Sequence, residues 1–62
     1  MCDLKAYVRK NDRDELLLES VNQVYADHGE VTLRNLFGEE KKIYGEVREV
    51  SLVKNRIVVE GI

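Results

Sequence analysis

The chain has 62 residues, with ten Lys or Arg against twelve Asp or Glu, a formal net charge of −2, one Cys, one His, and neither Pro nor Trp. A single Cys excludes an internal disulfide, and basic residues spread along the chain, with about −3 over residues 1–31 and +1 over 32–62, lack the dense stripe that phosphate-backbone binding requires. No apolar run approaches the roughly 18 residues of a membrane-spanning helix and no signal-like leader opens the chain, so the expectation is one domain over residues 1–62 working in the cytoplasm.

Alternation begins early. Leu4, Ala6 and Val8 point one way and Lys5, Tyr7 and Arg9 the other, which predicts a half-buried first strand. The polar run from Lys10 to Glu15 reads as a turn, with Asp12, Asp14 and Glu15 as solvated loop residues. The following "LLLESVNQVYA" is ambiguous. A helix would place Leu17, Val21 and Val24 on one face, with Asp12 or Asp14 near its start and Gly29 past its end. A strand would need a kink.

Ala26 to Glu30 reads as a turn, and Val31, Leu33 and Asn35 alternate with Thr32, Arg34 and Leu36 in a further strand. "FGEEKK" supplies the next turn around Gly38, with Lys41 and Lys42 as a solvated basic pair. In "IYGEVREVSLV" the apolar parity changes between Val47 and Val50, which demands a β-bulge or bend near Gly45 or Glu49. Lys54 and Asn55 form a two-residue hairpin connection between Val50–Val53 and Ile57–Val59, since Asn tolerates the positive φ of such turns.

Five or more short strands joined by tight turns predict an all-β fold, a small antiparallel β-barrel or curled sheet. A chain this short buries only about 60% of the surface it exposes when unfolded, so metal or a second subunit is the available support. Open strand edges point the same way, and a homodimer would cover them. The C-terminal "RIVVEGI", apolar on both parities, reads as the interface strand.

Catalytic parts are few. There is no Ser-His-Asp order, no Gly-rich phosphate loop and no spaced Cys/His set, so a non-enzymatic role is expected. Tyr7, Tyr25, Phe37 and Tyr44 are too scattered for a base-stacking platform and read as core or interface residues. A small β-barrel RNA-binding module with an incidental Cys2 is therefore the second reading. His28 reads as an ordinary turn residue, because one imidazole is far short of a metal site.

Cys2 stands apart because it neighbours the chain terminus. If Met1 is retained, its amine, the Cys2 amide nitrogen and the Cys2 thiolate can close two adjacent chelate rings; if Met1 is removed, the Cys2 amine and thiolate close one. Planar nitrogen and sulfur donors suit Ni(II) or Cu(II), whereas Zn(II) prefers a tetrahedral set. One terminus has too few donors, and two termini at a dimer axis double the count. The opposing reading is an incidental thiol on a frayed terminus.

Read together, Met1-Cys2, Ala6-Tyr7, Glu19-Ser20-Val21, Asn35-Leu36-Phe37-Gly38-Glu39, Ser51-Leu52-Val53 and Arg56-Ile57 resemble the CooT family of small nickel-binding proteins associated with maturation of carbon monoxide dehydrogenase. The resemblance spans nearly the whole chain. It favours strand over helix for the ambiguous segment and implies a mainly β homodimer holding one Ni(II) through the Cys2 region of both subunits. Its implied partners are a nickel enzyme or the ATPase that inserts the metal, since the chain has no nucleotide-binding loop of its own. No His-rich tail suggests storage.

Overall fold

A computed structural model describes residues 3–61; Met1, Cys2 and Ile62 lie outside the described residues. It contains six strands and, among those residues, no helix: β1 (Lys5–Lys10), β2 (Arg13–Leu18), β3 (Val21–Asp27), β4 (Glu30–Asn35), β5 (Glu40–Ser51) and β6 (Arg56–Gly61). No helix is therefore long and apolar enough to cross a membrane. The strands form one curled, unclosed sheet in the order β2-β1-β6-β5-β4-β3. The expected all-β curled sheet is what is found.

Turn chemistry sets the ladder. Asn11 and Asp12, at φ 51° and 64°, make a two-residue hairpin between β1 and β2, and His28 and Gly29, at 52° and 78°, make another between β3 and β4. Positive φ at both central residues matches the right-handed twist of the flanking strands, and Asn, Asp, His and Gly tolerate it best. These turns are shorter than the polar runs suggested. Arg13, Asp14 and Glu15 are in strand, as are Ala26, Asp27 and Glu30. Charged side chains can occupy these strand positions because β2 and β3 end the strand order and are exposed on both faces over most of their length.

The ambiguous segment is strand on both sides of a corner. Leu18 ends β2 and Val21 opens β3, both buried, while Ser20 at φ 56° turns the chain between them. The parity change in β5 is also real. Arg48 is an extra residue between Val47, opposite Val59, and Glu49, opposite Val58. Gly45 marks the other bend: Tyr44 still pairs with Glu30 of β4, and Gly45 already pairs with Gly61 of β6. A side chain there would collide with the Glu60 carbonyl oxygen, so glycine lets β5 serve both halves of the sheet.

Ala6, Leu18, Val21, Val31, Leu33, Ile57 and Val59 form the buried core, with Leu4, Leu17, Ile43 and Val47 packed against it. Three expectations need correction. First, β1 and β6 run parallel, while the other four neighbour pairs are antiparallel. Hairpin signals are local and could not reveal a pairing between the two ends of the chain.

Second, β6 is an interior strand between β1 and β5, and Ile57, Val58 and Val59 are all buried within this one chain. Its double-sided apolarity serves the fold, so it is not an interface edge. Third, of the two readings of the aromatics, core or interface, the core reading does not hold. Tyr25, Phe37 and Tyr44 are exposed, at 56%, 75% and 72%, and Tyr7 is half-buried. Lys41 and Lys42 likewise belong to strand β5 rather than to a turn.

Candidate functional site

The predicted ligands, Met1 and Cys2, lie outside the described residues, so the structure bears on the surroundings of the chain start. Asp3, covalently joined to Cys2, is exposed. From Leu4 onward the backbone is held on both sides. Val21 N donates to the Leu4 carbonyl at 2.9 Å, and Lys5 N donates to the Asn55 carbonyl at 2.9 Å. The chain therefore enters the fold between the first residue of β3 and the β5–β6 turn.

A third hydrogen bond extends this tie: Leu36 N donates to the Ser20 carbonyl at 3.1 Å. Three segments thus gather beside the chain start: the Ser20 corner, the Leu36–Glu39 loop and the Leu52–Asn55 turn. That last turn was expected to be two residues long. It is four, because β5 ends at Ser51, which pairs with Arg56. Asn55 does carry the expected positive φ, 54°, and Lys54 N donates to Ser51 Oγ at 3.2 Å.

Asn35 builds the loop. It is buried at 3%, its Oδ1 accepts from Phe37 N at 3.0 Å and from Glu39 N at 2.9 Å, and its Nδ2 donates to Glu39 Oε1 at 2.7 Å. Gly38 at φ 83° completes the turn. A side-chain amide that satisfies two backbone donors in this way substitutes for strand pairing where the ladder stops. The loop projects Leu36 and Phe37 outward, at 55% and 75% exposure, and the neighbouring turn projects Leu52 and Val53, at 77% and 95%. Val50, just before that turn, is 59% exposed.

On the solvent face of β1 and β6, a depression beside the chain start is lined by Asp3, Lys5, Tyr7, Lys54, Asn55 and Arg56. Farther along the same face the charges are paired. Arg9 Nε donates to Asp14 Oδ1 at 2.8 Å, Arg56 Nη2 to Glu49 Oε1 at 3.0 Å, and Arg48 bridges Glu46 at 2.7 Å and Glu60 at 3.0 Å. The Arg9 hydrogen bond holds the Asp14 carboxyl below the usual range, and Asp14 in turn raises the Arg9 guanidinium. Beneath them Val58 is fully buried, opposite Tyr7 and Glu49, so arginine stems cover an apolar residue that faces away from the core.

His28 is not brought to this end. It sits in the β3–β4 hairpin beside Gly45 and Gly61, at the far end of β6, with its side chain 91% exposed and Nδ1 2.8 Å from Asp27 Oδ1. The turn-residue reading of His28 fits this placement. Among the described residues no three His, Cys, Asp or Glu side chains converge to hold a metal. Sequence reasoning missed Asn35 as the loop organiser; its signal was Asn followed two residues later by Phe-Gly at the end of an alternating strand. It also missed the Arg56–Glu49 pair, which joins residues seven apart across the β5–β6 turn.

Residues 1–60 match the family described as "CO dehydrogenase accessory protein CooT". The chain is 33% identical over 61 residues to the uncharacterized protein MJ1551 of Methanocaldococcus jannaschii, covering 98% of this chain and 100% of that one. Its structure is similar to a crystal structure provisionally assigned to CooT of Carboxydothermus hydrogenoformans, with a TM-score of 0.86, 31% identity and 98% of each chain covered. With the match running almost end to end in both sequence and fold, the chain belongs to the CooT family of CO dehydrogenase accessory proteins.

Proposed function

We infer that this chain is a nickel metallochaperone: it takes up Ni(II) as cargo at the Cys2 thiolate and the terminal nitrogens, in a site shared by two copies of the chain, and delivers it for maturation of carbon monoxide dehydrogenase. Family membership supports an accessory role in making that enzyme active, rather than catalysis. The metal, the ligands and the dimer are our reading. Nitrogen and thiolate donors at a chain terminus suit a square-planar divalent ion.

The observation that carries the reading is the setting of the chain start. Backbone hydrogen bonds on both sides fix Leu4 and Lys5, while the two segments beside them end in exposed Leu36, Phe37, Leu52 and Val53. Large exposed apolar side chains on segments tied to the chain start are what a subunit contact needs. A two-fold contact through those segments would bring two Cys2 residues near one axis. The RNA-binding alternative gains nothing from the fold, because Tyr25 and Tyr44 lie on the β3–β5 half, Phe37 on a loop and Tyr7 beneath Arg56.

Titrating Ni(II) into the protein tests this directly. Thiolate-to-nickel charge-transfer absorption should rise to saturation, and Cys2→Ser should remove it while leaving the circular dichroism of the sheet unchanged. Undiminished nickel binding by Cys2→Ser would end the terminal-chelate reading.

A further inference from the structure

We propose that the depression lined by Lys5, Tyr7, Lys54 and Asn55 is the docking site for an acidic segment of the protein that receives the metal. The proposal rests on the metallochaperone reading and adds the partner's chemistry to it. Charge is the first observation. Three of the chain's ten basic residues line this depression, against one of its twelve acidic residues, Asp3, although the chain as a whole is net acidic. Arg56 is already spent, with Glu49 at 3.0 Å and Asp14 at 3.9 Å. Lys5 and Lys54 form no ion pair with any described residue and are exposed.

Position is the second. Lys5 comes three residues after Cys2 and is tied to the Asn55 carbonyl, so the two lysines flank the chain start on a fixed backbone. The arginines Arg9, Arg48 and Arg56 of the neighbouring sheet face each have a carboxylate partner, whereas Lys5 and Lys54, like the other described lysines, have none; what sets these two apart is their place beside the chain start.

Chemistry is the third. A protein that accepts Ni(II) must offer deprotonated donors, and where these are thiolates or carboxylates they carry negative charge. Ammonium groups beside the donor site attract such a segment, speed its approach and hold it in register while ligands exchange. Tyr7 and the Arg56 guanidinium, 6.0 Å from the ring centroid, give the depression a firm wall.

The test is an isotope-labelled titration with hexaglutamate at low salt, on the nickel-loaded protein and on Cys2→Ser. Saturable shifts confined to Lys5, Tyr7, Lys54 and Asn55, about tenfold weaker binding in Lys5→Glu/Lys54→Glu and an intermediate loss in Lys5→Gln/Lys54→Gln support the proposal. The same shifts in Cys2→Ser support a groove that works independently of the metal, so failure of the nickel reading would be seen separately. Shifts absent or spread over the molecule, equal binding by the lysine variants, or binding of hexauridylate in preference to hexaglutamate would each overturn it.

Discussion

Two surfaces of this molecule meet at Arg56 and use charge in opposite ways. Across the solvent face of β1, β6 and the second half of β5, Arg9, Arg48 and Arg56 are each matched to carboxylates at 2.7–3.0 Å, over a buried Val58. At the end where the chain starts, Lys5 and Lys54 have no such partner, and Leu36, Phe37, Leu52 and Val53 point into solvent. The first surface is closed on itself and belongs to the fold. The second leaves both charge and apolar area unspent, which is what an interaction surface requires.

Substitutions should separate the two. The largest effect on the fold is expected in the core beneath both: Leu33→Ala removes a fully buried side chain and should cost about 2–5 kcal/mol in chemical denaturation, enough to unfold much of so small a domain. Asn35→Ala comes next. It strands the Phe37 and Glu39 amides and should cost about 1–3 kcal/mol, and it should also disorder the loop that presents Phe37. That variant blurs the comparison, since fold and interaction surface both suffer.

Val53→Asp should sharpen it. With 95% of Val53 exposed, folding stability should move by less than about 0.5 kcal/mol, while sedimentation should show weaker self-association. The smallest effect concerns Asp14. Its folded pKa is depressed by the Arg9 hydrogen bond, so its contribution to stability is present above the unfolded carboxyl pKa and is lost as pH falls through the lower folded value. Thermal melts of Asp14→Asn should differ from the parent at pH 6 and converge with it in strong acid.

Much of this fold was legible because turns and alternation are local. Ala6 and Val8 inward, Val31, Leu33 and Asn35 inward, and the bulge before Val50 all follow from period-two spacing. What was hidden is non-local. The parallel β1–β6 pair joins the two ends of the chain, and it turns "RIVVEGI" from an apparent interface into the centre of the sheet. The ambiguous "LLLESVNQVYA" also resolves non-locally: Ser20 and Val21 bond to Leu36 and Leu4, which no helix at that place could do.

Of the candidate site, Met1 and Cys2 were proposed as ligands from their chemistry alone, and they lie outside the described residues. The ties of Leu4 to Val21 and of Lys5 to Asn55 were not readable, because they join segments far apart in the sequence. pH supplies a further check on the chelate. A thiol of free pKa about 8.5 and an amine of about 8 must both lose protons before they bind metal, so nickel affinity should fall steeply from pH 8 to 6. A flat profile would point to carboxylate ligands.

The measurement that bears most directly on the shared site is the stoichiometry of nickel in native mass spectrometry, taken across a titration of the parent chain and of Cys2→Ser. One Ni(II) per two chains is expected, with the dimer population growing as nickel is added, because a ligand that binds only the dimer stabilises it by mass action. Cys2→Ser should carry no nickel and show no such growth. One Ni(II) per single chain, with the assembly unchanged by the metal, would contradict a site built from two chain starts.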